Sequence, residues 1–218
     1  FSNAAGTRRY MLYVPSNHAG VAHASMPLVV MLHGCTQSPD DFAAGTRMNQ
    51  LAEANGFLVA YPAQTARANG NKCWNWFRAS DQVHGGGEPS LIAGIAQHVA
   101  SDYRVDPQRV FVAGLSAGAA MAVILGETYP EVFAGVGAHS GLPFAAANDV
   151  ASAFTAMKAG PARVAARSPH ASRDAASRSE SAQPSNAPRE SRIGSGPYRI
   201  VGAGGRGVVN PTVRSASR

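Results

Sequence analysis

No apolar run in this sequence is long enough to span a bilayer. From Phe1 onward there is also no succession of charged, apolar and small residues that would read as an export signal. No membrane partner is expected. The chain opens on Phe1 rather than Met, which points to an N-terminus that is missing or was processed, so a leader removed upstream stays open. Cysteine is scarce as well. Cys35 and Cys73 are too few for a zinc site and form no C-x-x-C pair. One disulfide or two buried thiols remain open.

A further scarcity is local. Residues 158–218 contain no leucine, phenylalanine or tryptophan and a single tyrosine, Tyr198. A stretch so poor in large apolar groups cannot offset its ordering entropy, so a disordered tail is expected over 161–218. Tyr198–Val201 and Val208–Val209 are its only short exceptions. The charge divides at the same place. Residues 1–157 hold 8 basic and 10 acidic side chains, whereas 158–218 hold 11 and 3, so the whole net charge of +6 comes from the tail. The body is therefore no basic binding domain. The tail's arginines are spread singly, which gives no nucleic-acid footprint.

What is present is a succession of apolar runs and amphipathic stretches. Arg8–Val14 alternates and reads as a strand ended by Pro15. Leu28–Leu32 is continuously apolar and reads as a strand buried on both faces, stopping at His33-Gly34-Cys35-Thr36-Gln37. Ser38, followed by Pro39 and two acids, opens a helix expected to run to about Asn55, with Gly56 as its stop. Phe57–Tyr61 is a further short strand. Residues 63–87 have no period, contain both tryptophans and end in three glycines, as a binding loop would. A helix over Glu88–Tyr103, a strand over 109–114, a helix from Ser116 to about Tyr129 and a strand over Val132–Ala138 complete the pattern.

The chain is organised around Gly114-Leu115-Ser116-Ala117-Gly118. Four β-prone residues lead into it and an alanine-rich helix follows, which is the strand, sharp turn and helix of a nucleophile elbow. The flanking glycines suit a turn with no room for Cβ atoms beside the serine. Apolar strands alternating with helices imply a parallel sheet covered on both faces. With the elbow at its centre, the fold class expected is the α/β-hydrolase fold: a mostly parallel sheet with helices on both faces, here lacking its last strands.

From Gly6 to about Gly160 the sequence resembles the polyhydroxybutyrate depolymerase family of esterases. The matching pieces are Gly6-Thr7-Arg8-Arg9-Tyr10, Leu12-Tyr13-Val14-Pro15, His33-Gly34-Cys35-Thr36-Gln37, Cys73-Trp74-Asn75-Trp76-Phe77, Asp106-Pro107 before the elbow, and His139-Ser140-Gly141-Leu142-Pro143. Feruloyl and acetylxylan esterases share this region. The resemblance implies ester hydrolysis through an acyl-enzyme on Ser116, with no metal or organic cofactor and an ester, including a polymeric one, as partner. It implies an oxyanion hole made by the backbone N–H groups of Ala117 and Cys35. It also implies a Cys35–Cys73 disulfide, which would pin the aromatic loop beside the oxyanion turn and suit an extracellular or periplasmic location. Two buried thiols in a cytoplasmic enzyme are the alternative.

His33, His139 and Trp74 are candidates for the substrate side of the site. The resemblance sets His33 beside the oxyanion turn as an orienting group rather than a general base. His139, at a strand end, reads as scaffold or pocket lining. Trp74 stands open between lining an acyl or polymer groove and covering the sheet edge, while Trp76 and Phe77 read as cover.

The family's later aspartate, in a His-Gly-Asp pattern, and its histidine, in a Gly-His-Ala-Trp type of pattern, have no counterpart here. His170 and Asp174 are the only histidine and aspartate after residue 149 and lack that context. No triad aspartate or histidine is identified. We therefore divide the chain into an incomplete hydrolase domain, 1–160, and a tail, 161–218. The tail's Arg, Ala, Pro, Gly and Ser all have GC-rich codons, as an off-frame reading of a GC-rich gene would give. A true basic tail that binds acidic partners is the alternative. The expected function is a serine esterase of hydroxyalkanoate-type esters, inactive if the triad is truly absent. A feruloyl or acetylxylan esterase and a non-catalytic binding protein are the competing readings.

Overall fold

The computed structural model describes residues 1–20, 25–160 and 199–201. A small hairpin of β1 (Ser2–Asn3) and β2 (Gly6–Thr7) precedes the main sheet. That sheet contains β3 (Tyr10–Tyr13), β4 (Met26–Leu32), β5 (Leu58–Pro62), β6 (Val105–Leu115), β7 (Gly135–His139) and β8 (Arg199–Val201). The strand order is β7-β6-β4-β5-β3-β8. β4 runs parallel to β5 and β6, and β6 parallel to β7, whereas β3 is antiparallel to β5 and to β8. The elbow strand β6 thus lies between β4 and β7, within the parallel part of the sheet and one strand in from β7 at its end.

The two faces follow the period-2 alternation of the strands. Leu12, Leu28, Val30, Leu58, Val110 and Val112 pack under α3 (Gly87–Tyr103) and α4 (Ala117–Thr128). Met11, Tyr13, Met31, Val59 and Tyr61 pack under α1 (Pro39–Thr46) and α2 (Met48–Asn55). Helices on both faces of a mostly parallel sheet agree with the fold class expected from sequence.

Several boundaries differ from the sequence reading. The helix expected over 38–55 is two helices, because Arg47 adopts a left-handed conformation (φ 52°) and ends α1 before α2 begins. Ser38 caps α1 as expected: its hydroxyl accepts the Asp41 N–H, and the Asp41 carboxylate accepts the Ser38 N–H. The strand expected over Val132–Ala138 starts only at Gly135. Val132 and Phe133 instead sit in a turn, both N–H groups bonded to the Tyr129 carbonyl, with their side chains in the core. β6 begins four residues earlier than expected, at Val105. α5 (Val150–Ala159) was not anticipated. Its signal is local: Asp149 caps it through the Ser152 N–H at 2.7 Å, and Ala153 and Ala156 are its buried face.

Within the tail expected to be disordered, Arg199–Val201 instead pairs with β3 in the register Tyr10↔Val201 to Leu12↔Arg199. It falls on one of the short apolar exceptions, where β-prone residues can extend a ladder. The remaining tail expectations, with His170 and Asp174, lie outside the described residues. Among the described residues no strand lies beyond β7, and Phe111 and Val136 are left 36% and 43% exposed at that end of the sheet.

Arg47 generates a stability prediction. A left-handed conformation strains any residue with a Cβ and is free for glycine. Arg47→Gly is expected to raise the urea midpoint by the equivalent of up to about 1 kcal/mol. A lowered midpoint would show that the arginine side chain itself holds the α1–α2 junction.

Candidate active site

The elbow is built by close backbone approach. A Cβ on Gly114 would lie 2.3 Å from the carbonyl carbon of Gly118, and one on Gly118 would lie 2.2 Å from the Leu32 oxygen and 2.6 Å from the His33 oxygen. Both glycines are therefore obligatory, and the start of α4 is pressed onto the end of β4. Ser116 takes the consequence. Its backbone stands at φ 55°, ψ −118°, a region a residue with a side chain holds only when its surroundings impose it. Two bonds do so: the Ser116 N–H donates to the His139 carbonyl at 2.9 Å, and the Ala120 N–H donates to the Ser116 carbonyl at 3.0 Å. The serine is exposed at the tip of the turn.

The Gly34-Cys35 turn lies directly alongside. A Cβ on Gly34 would be 3.7 Å from the Ser116 Cβ. The turn is fastened on several sides. The Gly34 N–H donates to the Gln37 side chain at 2.8 Å, the Thr36 N–H donates to the Asn71 carbonyl at 2.6 Å, and Cys35 is disulfide-bonded to Cys73. This disulfide is the one the resemblance implied. Thr36, at φ 65°, shares the left-handed strain of Ser116 and of Ser140 (φ 57°), which follows His139.

His33 is buried at the end of β4. Its Nδ1 lies 2.7 Å from the Gly34 carbonyl, which only accepts, so Nδ1 carries the proton. Nε2 then accepts the Gln64 backbone N–H at 3.1 Å. Burial holds this imidazole below its ordinary pKa, against the opposing pull of the Gly34 carbonyl. With both nitrogens on the backbone, the ring fixes the turn. It is not placed to touch a substrate, which corrects its inclusion among the substrate-side residues. The same correction applies to Trp74. Its indole is fully buried in the core and donates to the His33 carbonyl at 3.1 Å, so it lines no groove. Trp76 is likewise buried, edge-on to Phe77 at 5.7 Å.

His139 stands elsewhere. Its exposed ring lies 3.0 Å from the Ser140 hydroxyl, and with Met31, Phe42, Thr46 and Leu115 it borders an open, mainly apolar cleft of about 500 Å³. Among the described residues no histidine is hydrogen-bonded to the Ser116 hydroxyl. His84 pairs with Glu131, and His98 pairs with Asp102, both at the surface. What the sequence reading missed is a buried polar network behind the Gly34-Cys35 turn. Gln64, Asn75, Glu88 and Arg8 join there, and the only signal in the sequence was that polar residues flank the tryptophans of an otherwise patternless loop.

Fold and elbow together define the class: an α/β-hydrolase. Within it, the chain belongs to the family described as Esterase PHB depolymerase, whose model matches residues 8–187. That match runs past Gly160, so the domain boundary drawn from composition lies inside it. The chain is 39% identical over 160 residues to a poly(3-hydroxyalkanoate) depolymerase C of Paucimonas lemoignei, covering 73% of this chain and 37% of that protein. It is 36% identical over 141 residues to an acetylxylan esterase A of Talaromyces purpureogenus, covering 64% and 35% respectively. An acetyl xylan esterase structure from Aspergillus awamori superposes with a TM-score of 0.59 at 30% identity, over 66% of this chain and 50% of that one. The chain thus spans between about a third and a half of the length of these relatives.

Two predictions follow from the geometry. Gly118→Ala forces a methyl group into two carbonyl oxygens and is expected to lower stability by about 3 kcal/mol in urea unfolding, or to prevent folding. Tolerance of the alanine would mean that α4 can lift off β4. For His33, the depressed pKa means that the native chain binds fewer protons here than the unfolded chain. This contribution to stability is present above the ordinary value of 6.5 and is lost as pH falls below it towards the lower folded value. The urea midpoint of wild type should therefore drop more steeply below pH 6.5 than that of His33→Gln. Parallel curves would remove His33 from the acid response.

Proposed function

We propose that this chain carries the nucleophile half of a carboxylic ester hydrolase. The observation that carries the reading is Ser116 held at φ 55°, ψ −118° at the head of α4, with the Gly34-Cys35 turn packed against it. Strain of this kind is kept where a side chain must be presented. The Ser116 Oγ attacks the ester carbonyl carbon while its proton passes to a base. The carbonyl oxygen becomes an oxyanion and accepts the N–H groups of Ala117 and Cys35. The alcohol then leaves with a proton, and water hydrolyses the acyl-serine by the same route. Each oxyanion donor contributes about 3 kcal/mol to such a transition state.

The histidine and carboxylate of a complete triad are not among the described residues. We read residues 1–160 as an incomplete hydrolase domain, for which the oxyanion hole and substrate binding alone would leave only residual catalysis. The preferred substrate is a hydroxyalkanoate-type ester, in line with the depolymerase relative. A second reading, an esterase of acetyl groups on plant polysaccharide, is favoured by the acetylxylan esterase relatives and structure. The disulfide suits an oxidising compartment, extracellular or periplasmic.

The test is hydrolysis of p-nitrophenyl butyrate by the purified chain beside its Ser116→Ala variant. Turnover at least about tenfold above the variant supports an acyl-enzyme on Ser116. Equal rates from soluble protein would leave Ser116 without a base, as an incomplete domain implies, and would remove the acyl-enzyme from this chain. Where turnover is found, comparing release of 3-hydroxybutyrate from its oligomers with release of acetate from acetylated xylan separates the two substrate classes.

A further inference from the structure

Glu88 is a buried acidic side chain that acyl transfer does not use. It is 4% exposed, in the first turn of α3. Its carboxylate does not serve its own helix end, because the Glu88 N–H is already taken by Asp81 Oδ1 at 2.6 Å. It faces the loop instead and accepts four hydrogen bonds. Oε1 accepts Arg8 Nη2 at 3.0 Å, Asn75 Nδ2 at 2.8 Å and Gln64 Nε2, while Oε2 accepts the Asn75 backbone N–H at 2.7 Å. Two of these donors are the side chains at the ends of segment 64–75. That same segment grips the oxyanion turn. The Gln64 N–H reaches His33 Nε2, Trp74 reaches the His33 carbonyl, Asn71 accepts the Thr36 N–H, and Cys73 is bonded to Cys35. The Gln64 side chain also donates to the Cys73 carbonyl at 3.0 Å, tying the two ends together.

We propose that Glu88 is a positioning residue for the oxyanion hole. Its carboxylate clamps both ends of segment 64–75, and the clamped segment holds the His33–Cys35 turn beside Ser116. The proposal rests on the reading of Cys35 as an oxyanion donor. Glu88 itself touches no reacting atom. The requirement is for an acceptor on both oxygens. In Glu88→Gln the best amide orientation still sets an NH2 against the Asn75 N–H, so one end of the segment is released.

The test is hydrogen exchange, read by mass spectrometry on the full chain, for wild type, Glu88→Gln and Gln64→Met. The last variant keeps the backbone bond to His33 and removes the side-chain link between Glu88 and Cys73, together with the bond that Gln64 Oε1 accepts from the Thr65 N–H. Exchange over 33–37 and 64–75 should rise about tenfold in Glu88→Gln and by less in Gln64→Met, while α4 keeps its wild-type rate. An unchanged 33–37 peptide, or a rise shared equally by α4, overturns the proposal. Should Glu88→Gln fail to fold, the same comparison in Gln64→Met decides it. In p-nitrophenyl butyrate hydrolysis, Glu88→Gln should lower kcat about tenfold with KM little changed, as loss of a transition-state contact does. A change confined to KM overturns the positioning role. A wild-type chain without Ser116-dependent turnover removes the acyl-enzyme from this chain, and the exchange comparison still decides the role of Glu88.

Discussion

The contact of Gly118 with the carbonyls of Leu32 and His33 is the constraint on which the site depends. It brings the first turn of α4 onto the end of β4 with no side chain between them. β6 has to turn sharply to meet that helix, and Ser116 takes the strained backbone as a result. The same contact sets the Gly34-Cys35 turn beside the serine, since that turn continues directly from the carbonyls that Gly118 touches. Ser116 and the Gly34-Cys35 turn are thus placed by one backbone approach between two parallel strands and a helix. A parallel sheet of buried strands is rigid enough to hold it.

Behind this contact lies a second layer of order. The segment from Gln64 to Asn75 has no regular structure, yet it is fixed to the turn by a ring nitrogen, an indole, a backbone amide and a disulfide. Its polar groups are satisfied by a buried carboxylate rather than by a ladder. Buried networks of this kind specify one arrangement to the extent that their members are paired, and here, among the described residues, Arg8 Nε is the atom left without a partner. Asp81, whose pKa is raised chiefly by its own burial, belongs to the same region through its bond to the Glu88 N–H. Buried acidic groups are thus gathered where the start of α3 meets this loop, and not in the apolar core.

Much of this was legible in the residues. Gly114 to Gly118 after β-prone residues announced the elbow, because a strand, a turn without Cβ atoms and a helix are each written in adjacent residues. Apolar runs such as Leu28–Leu32 announced buried parallel strands for the same reason. Ser38 with Asp41 announced the start of α1. The failures are equally specific. Nothing between Ser38 and Asn55 forecasts a left-handed Arg47, since an arginine there has no propensity for it. α5 was passed over because its buried face consists of small alanines while Val150, Phe154 and Met157 stand exposed.

The sequence by itself determined the sheet's parallel strands, the serine at the elbow and the family to which the chain belongs, because these rest on patterns between near neighbours. Only the tertiary structure decided what Trp74, His33 and Glu88 do. A tryptophan in an aperiodic loop can line a groove or fill a core, and the choice depends on where the loop lands. Here Trp74 lands on the His33 carbonyl, the imidazole is consumed by two backbone groups, and a carboxylate 55 residues further along the chain from His33 gathers the ends of the segment that holds them. Burial and hydrogen-bond partners are properties of that distant meeting, and no local pattern encodes them.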